Sequence, residues 1–162
     1  MKMKTMLATL LVLISLSAFA GGTNLFNKNE FGINLGSAYV DSATIDNSKW
    51  GATLGVSAFP FQKYLGVEAD TTLSDGVTPA FNNVSGYGIL RLPIDKWHVA
   101  PYAIGGYKWT AITVTGNNYA WSAGAGLEAR LNSKWGVYGD YQRVFGYLKD
   151  ANQVRVGLHL VF

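Results

Sequence analysis

The chain has 162 residues, no cysteine, 14% charged residues and a formal net charge of +3. That length suits one domain, the lack of cysteine excludes disulfides, thiol chemistry and lipid attachment through sulfur, and no basic stripe exists that would suit nucleic acid. The charge content lies well under the roughly 25% of soluble domains, too little to cover a small protein in water.

At the amino terminus, Lys2 and Lys4 precede an apolar run over 6–16 and then Ala18-Phe19-Ala20. A basic start, a short apolar stretch and a small-x-small triplet mark a secretory signal peptide, with cleavage expected before Gly21. The run is shorter than the about 20 apolar residues that a membrane-spanning helix needs. Residues 1–20 are therefore expected to be removed and residues 21–162 to form the single mature domain, whose net charge is +1 without Lys2 and Lys4. No later segment has the apolar length of a membrane helix. Since lipid admits only helices and closed barrels, a membrane-embedded form of this chain must be a barrel.

Alternation between turn signals predicts eight strands, over 30–41, 49–59, 64–74, 84–92, 97–110, 119–131, 135–146 and 152–162. Each length is close to the about 9 to 11 residues that cross a bilayer at a tilt. The expected fold is all-β, an eight-stranded antiparallel up-and-down transmembrane β-barrel preceded by the cleavable signal peptide. Tight connections at 60–63, 93–96 and 132–134 would face the periplasm, and the polar ones near 42–48, 75–83, 111–118 and 147–151 would face outside. Trp50, Trp109 and Trp121 then fall at the outer rim. Trp97 and Trp135 fall at the periplasmic rim with Phe59, Phe61, Tyr64 and Phe162. Two aromatic girdles are what the two headgroup levels of a membrane favour.

Each strand separates an apolar row from a row of glycine, small polar and charged residues. In the third, Leu65, Val67, Ala69 and Thr71 alternate with Gly66, Glu68 and Asp70; in the sixth, Trp121, Ala123, Ala125, Leu127 and Ala129 alternate with Ser122, Gly124, Gly126, Glu128 and Arg130. The interior of an eight-stranded barrel is barely wide enough for side chains, so the small and charged rows belong inside. Glu68, Asp70, Arg91, Glu128, Arg130, Asp140 and Arg155 are the candidates for a lumenal charge network, in which unpaired charge would be costly. Asp140 and Arg155 stand at similar height on neighbouring strands and are expected to pair. The fourth strand is ambiguous, because Tyr87 and Ile89 share a face with Arg91. Lys108 lies near the outer rim, where its ammonium could snorkel.

No catalytic, cofactor or metal constellation stands out. His98 and His159 both lie toward the periplasmic side, away from the outer leaflet where a lipid A-modifying enzyme would need its base, and a rim role for His98 and a structural lumenal role for His159 are expected. Glu68 and Asp70 share a face at i, i+2 and could hold a cation, although an interior ion pair explains them more simply. The glycines of Gly105-Gly106 and Gly124-x-Gly126 form no phosphate loop, because no helix follows them.

The last nine residues place Val154, Val156, Leu158, Leu160 and Phe162 on one side and end on an aromatic carboxyl terminus. Together with the signal peptide, the eight segments, the girdles and Pro101-Tyr102-Ala103-x-Gly105-Gly106-Tyr107, this strand resembles the small OmpA/OmpX-type (opacity-type) outer-membrane β-barrel family, over essentially all of 21–162. The resemblance implies the outer membrane of a Gram-negative-type bacterium, contact with outer-membrane lipid and lipopolysaccharide, and insertion by the barrel-assembly machinery with Phe162 as the assembly signal. It implies a structural, adhesive or narrow-pore role, and a charged plug inside the barrel. The outer connections are short for an adhesin, and no peptidoglycan-binding domain is expected after Phe162. The expected protein is a non-enzymatic, monomeric envelope barrel with a plugged or very narrow lumen and no cofactor. A small-solute pore and, behind it, a lipid A-modifying enzyme are the alternatives.

Overall fold

The computed structural model describes residues 25–42, 49–73, 83–112, 116–146 and 151–162. The segment expected to be a signal peptide and most of the outer connections lie outside these residues. Eight antiparallel strands follow in order: β1 (Glu30–Ser42), β2 (Lys49–Phe59), β3 (Leu65–Leu73), β4 (Asn83–Arg91), β5 (Val99–Ile112), β6 (Gly116–Arg130), β7 (Trp135–Gly146) and β8 (Ala151–Val161). Each pairs with its neighbours in sequence, and β8 returns to β1, from Gly32 opposite Val161 to Ser42 opposite Ala151, so the sheet closes into a barrel. Closure gives the ladder no free edge, which is what apolar surroundings require of a sheet.

Period-two alternation decides the two surfaces. β3 exposes Leu65, Val67, Ala69 and Leu73 outward and buries Gly66, Glu68, Asp70 and Thr72 inward. β7 turns Tyr138, Asp140 and Gln142 inward and Tyr141 outward. On the outside, Leu35, Leu54, Val56, Val67 and Leu158 are all about half exposed, a surface that suits lipid and would be poor in water. Trp50, Trp109 and Trp121 ring one end; Trp97, Trp135, Phe61, Tyr64 and Phe162 ring the other, all exposed.

Four expectations need correction. Phe59 does not join the periplasmic girdle: it is the last residue of β2, one step out of phase with Trp50 and Val56, and its ring lies in the lumen against Arg91. Trp97 does not open a strand; it ends a single 3-10 turn, Asp95–Trp97, after which His98 takes a left-handed conformation (φ 55°) and β5 begins at Val99. The β5–β6 hairpin runs further out than 111–118 allows, since pairing continues to Ile112 opposite Gly116. Ala129, in the outward row of β6, is nonetheless buried, between Val99 and Val137 in register.

In β4 the alternation resolves against residue size. Asn83, Ser85, Tyr87, Ile89 and Arg91 face inward, and Val84, Gly86, Gly88 and Leu90 face outward. Arg91 and Ser85 cannot be left to lipid, and one period sets the whole strand, so Tyr87 and Ile89 go inside with them. There they join Phe59 and Ile104 in the apolar cluster of the lumen, with Tyr102 against it.

Leu54 lies midway along β2 and faces outward. Replacing it with arginine is expected to cost about 2–4 kcal/mol, the price of a cation on the lipid face near the midplane. Urea unfolding of the protein in lipid vesicles measures this.

Candidate functional site

The lumen is where the chemistry of this chain collects. Among the described residues it buries Glu30, Glu68, Asp70, Glu128 and Asp140 against Arg91, Lys108, Arg130 and Arg155. These groups form two layers, one at the periplasmic end and one at mid-height.

In the periplasmic layer, Glu30 of β1 accepts from Arg91 Nη2 at 2.8 Å and from Arg130 Nη2 at 2.9 Å. Glu128 accepts from Arg130 Nε at 2.6 Å and from Arg91 Nη1 at 3.3 Å, so two carboxylates and two guanidiniums close a four-membered ring of charge. Arg91 Nε also donates to the Lys63 carbonyl at 2.9 Å, which ties the ring to the β2–β3 turn. Phe59 lies 3.6 Å from the Arg91 guanidinium, and Phe26 lies 5.0 Å from those of both Arg91 and Arg130. Leu25 and Phe26 are buried ahead of β1, held where Asn27 N–H meets the Glu30 carboxylate and Asn29 N–H meets the Phe59 carbonyl. The amino-terminal segment thus turns into the periplasmic mouth and caps it with an aromatic ring on two cations, an arrangement that is attractive for the ring's quadrupole.

At mid-height, Arg155 gathers three carboxylates: Glu68 at 2.6 Å, Asp70 at 2.5 Å and Asp140 at 2.8 Å. Asp140 and Arg155 stand opposite each other in the β7–β8 register. Asn34 donates to Glu68 at 3.1 Å, Tyr102 OH to Asp140 at 2.8 Å and Gln142 to Asp140 at 3.0 Å, so the carboxylates are engaged on several sides. Tyr87 and Tyr138 flank the guanidinium at 5.1 and 5.9 Å. Lys108 does not snorkel: it points inward, buried over the Tyr87 ring and bonded to Gln153. Arg91, Arg130 and Arg155 are 0%, 0% and 1% exposed, so neither layer leaves a wet passage around its cations.

Between the layers, Glu128 and His159 Nδ1 are 2.7 Å apart, and His159 Nε2 is 3.1 Å from the Ser57 hydroxyl. The carboxylate can only accept, so Nδ1 carries the proton that faces Glu128. This is the connectivity that activates a serine in open clefts. Here the adjoining cavity, lined by Ser57, His159, Glu128, Tyr102 and Tyr138 among others, holds about 20 Å³, room for one water and not for an acyl group. His98, buried in the β4–β5 turn, accepts through its carbonyl from Arg130 N–H.

Glycine makes room for these large groups. A Cβ on Gly32 would collide with the His159 ring, and one on Gly157 would lie 2.7 Å from Tyr138 Cε1.

All seven charged residues selected from the sequence lie in the lumen, divided between the layers: Arg91, Glu128 and Arg130 below, and Glu68, Asp70, Asp140 and Arg155 above. Sequence reasoning missed Glu30, although it alternates with Phe31, Ile33 and Leu35 as the other lumenal acids do. It also missed Tyr102, Phe26 and the Ser57–His159 contact, for which period two carries no signal. Outside the wall, Lys63 pairs with Asp95 at 2.7 Å, and that hydrogen bond raises the Lys63 pKa above its ordinary value. Among the described residues no three His, Asp or Glu side chains converge as metal ligands.

A closed wall, apolar without and ion-paired within, defines a transmembrane β-barrel. Residues 6–162 match the family of the outer membrane protein beta-barrel domain, and the chain belongs to that family. It is an outer-membrane protein of a Gram-negative-type bacterium. No curated protein matches the sequence. Among solved structures, the chain is similar to the N-terminal β-barrel domain of Pseudomonas aeruginosa OprF, at 14% identity over 84% of this chain and 99% of that one, with a TM-score of 0.60. It is similar to Neisserial surface protein A at 11% identity, over 80% and 96% of the two chains with a TM-score of 0.59. Ail of Yersinia pestis, solved in complex with the heparin analogue sucrose octasulfate, matches at 16% identity over 83% and 99%, with a TM-score of 0.54. At such identities the likeness is one of fold.

Removing one member of a buried charge cluster leaves the others uncompensated. Arg155→Met, which strands three carboxylates, is expected to destabilise the barrel by about 3–5 kcal/mol, read from urea unfolding in detergent micelles. Gly32→Ala is expected to cost about 1–3 kcal/mol by overpacking, and to shift the His159 ring resonances in an NMR spectrum of the folded protein.

Proposed function

We propose that this protein is a non-enzymatic, structural component of the outer membrane whose lumen is plugged rather than conducting. The observation that carries this reading is the stacking of two ion-paired layers across a narrow interior, with Phe26 seated over the lower one and a void between them of about 20 Å³. A solute would have to break several buried, charge-assisted hydrogen bonds at once to pass. Such a barrel works through its surfaces, which touch outer-membrane lipid and lipopolysaccharide. It is read as a monomer: the closed ladder leaves no strand edge for a second copy to pair with. Phe162 is proposed as the mark read by the barrel-assembly machinery: its ring is exposed at the rim while its backbone pairs with Phe31.

The Ser57–His159–Glu128 chain is read as an interior brace, because the lumenal cavity that all three residues line holds only about 20 Å³.

Planar-bilayer recordings of the folded protein are expected to show no stepwise conductance; reproducible steps would replace this reading with the small-solute pore. A fluorophosphonate probe is expected to leave Ser57 unlabelled, and incubation with lipopolysaccharide to release no acyl chains. Labelling at Ser57 or acyl release would establish the enzyme instead.

A further inference from the structure

Every segment that closes the barrel on the periplasmic side carries one lysine. Lys28 precedes β1, Lys63 lies in the β2–β3 turn, Lys96 in the 3-10 turn before β5 and Lys134 in the β6–β7 turn. Their backbones are pinned: Asn29 N–H bonds to Phe59, the Lys63 carbonyl accepts from Arg91, and Lys134 bonds through its N–H to Asn132 and through its carbonyl to Val161. Lys63 is held by Asp95; among the described residues Lys28, Lys96 and Lys134 have no ion-pair partner and are exposed. Asp95 is the only acidic side chain in these four segments. The connections at the other end have the opposite balance in sequence, with Asp46, Asp75 and Asp150 against Lys149.

Lys63, Lys96 and Lys134 directly precede the exposed rings of Tyr64, Trp97 and Trp135, and Phe61 and Phe162 are exposed at the same rim. Such rings settle at the headgroup level of a membrane, and lysine stems beside them bring the ammonium groups to the phosphates. A ring of separate point charges, without arginine's bidentate fork, suits several mobile headgroups better than one fixed phosphate. The geometry points to a collar for anionic glycerophospholipid headgroups of the inner leaflet, formed by Lys28, Lys96 and Lys134 with Lys63 as a partly neutralised fourth member. This surface is independent of whether the lumen conducts.

The test uses the full chain, folded into vesicles, with Trp50, Trp109 and Trp121 changed to Phe so that only Trp97 and Trp135 report on lipid contact. Both leaflets have one composition, so insertion direction does not matter. Quenching by brominated phosphatidylglycerol is compared with quenching by brominated phosphatidylcholine. Phosphatidylglycerol is expected to be preferred by about threefold or more, with the preference falling as salt rises. The triple change Lys28→Gln, Lys96→Gln and Lys134→Gln is expected to abolish it, and the corresponding Lys→Arg triple to keep it. Circular dichroism and heat-shifted gel mobility check folding, and single Lys→Gln variants give the same reading should the triple misfold. Equal quenching by the two lipids, or a preference that survives the Gln substitutions, overturns the proposal.

Discussion

A guanidinium that cannot lose its proton, placed in a lumen too narrow for bulk water, must be met by carboxylates from across the barrel. Arg155 of β8 is met by Asp140 of β7 and by Glu68 and Asp70 of β3, and Arg91 and Arg130 are met by Glu30 and Glu128. These contacts span strands far apart in sequence and are satisfied only in one register. A slip of one residue in β8 would turn Arg155 to the lipid and Val154 to the charges, so the ion pairs and the strand order define each other.

The rest of the interior follows from accommodating those groups. Aromatic faces cover the cations: Phe26 and Phe59 below, Tyr87 and Tyr138 above. Glycines on neighbouring strands leave the volume these rings need, as Gly157 does for Tyr138 and Gly32 for His159. The result is a packed core that is polar where most cores are apolar, and it resists opening because any breach exposes an uncompensated charge to a dry cavity. The Ser57–His159–Glu128 contact shows how context decides meaning. The connectivity alone resembles that of an activated nucleophile, yet its surroundings make it a brace.

The outside of the wall obeys a different rule. Nothing there needs a partner within the chain; side chains need only be apolar at mid-height and aromatic or charged at the rims. Polar function is therefore confined to the two ends and the lumen, and backbone hydrogen bonds pin the short periplasmic segments that carry the lysines.

Much of the architecture was legible in the chain because a strand repeats every two residues and a bilayer separates its two faces sharply. Glu68 and Asp70 against Val67 and Ala69 declare their sides without any tertiary information, and the terminal Val154 to Phe162 row does the same for β8. The aromatic rims were legible for the same reason, except at Phe59, which the alternation of β2 places in the inward row with Thr53, Gly55 and Ser57, and at Trp97, which a 3-10 turn displaces. The sequence by itself determined the class of fold, the strand count and the face of most residues, all of which depend on local periodicity. Only the tertiary structure decided which acid meets which base, that Tyr87, Ile89 and Lys108 turn inward, that Phe26 returns to cap the mouth, and that His159 bridges Glu128 and Ser57. Those outcomes depend on distances between strands tens of residues apart and on the volume left in a closed lumen, and neither quantity is written in any single strand.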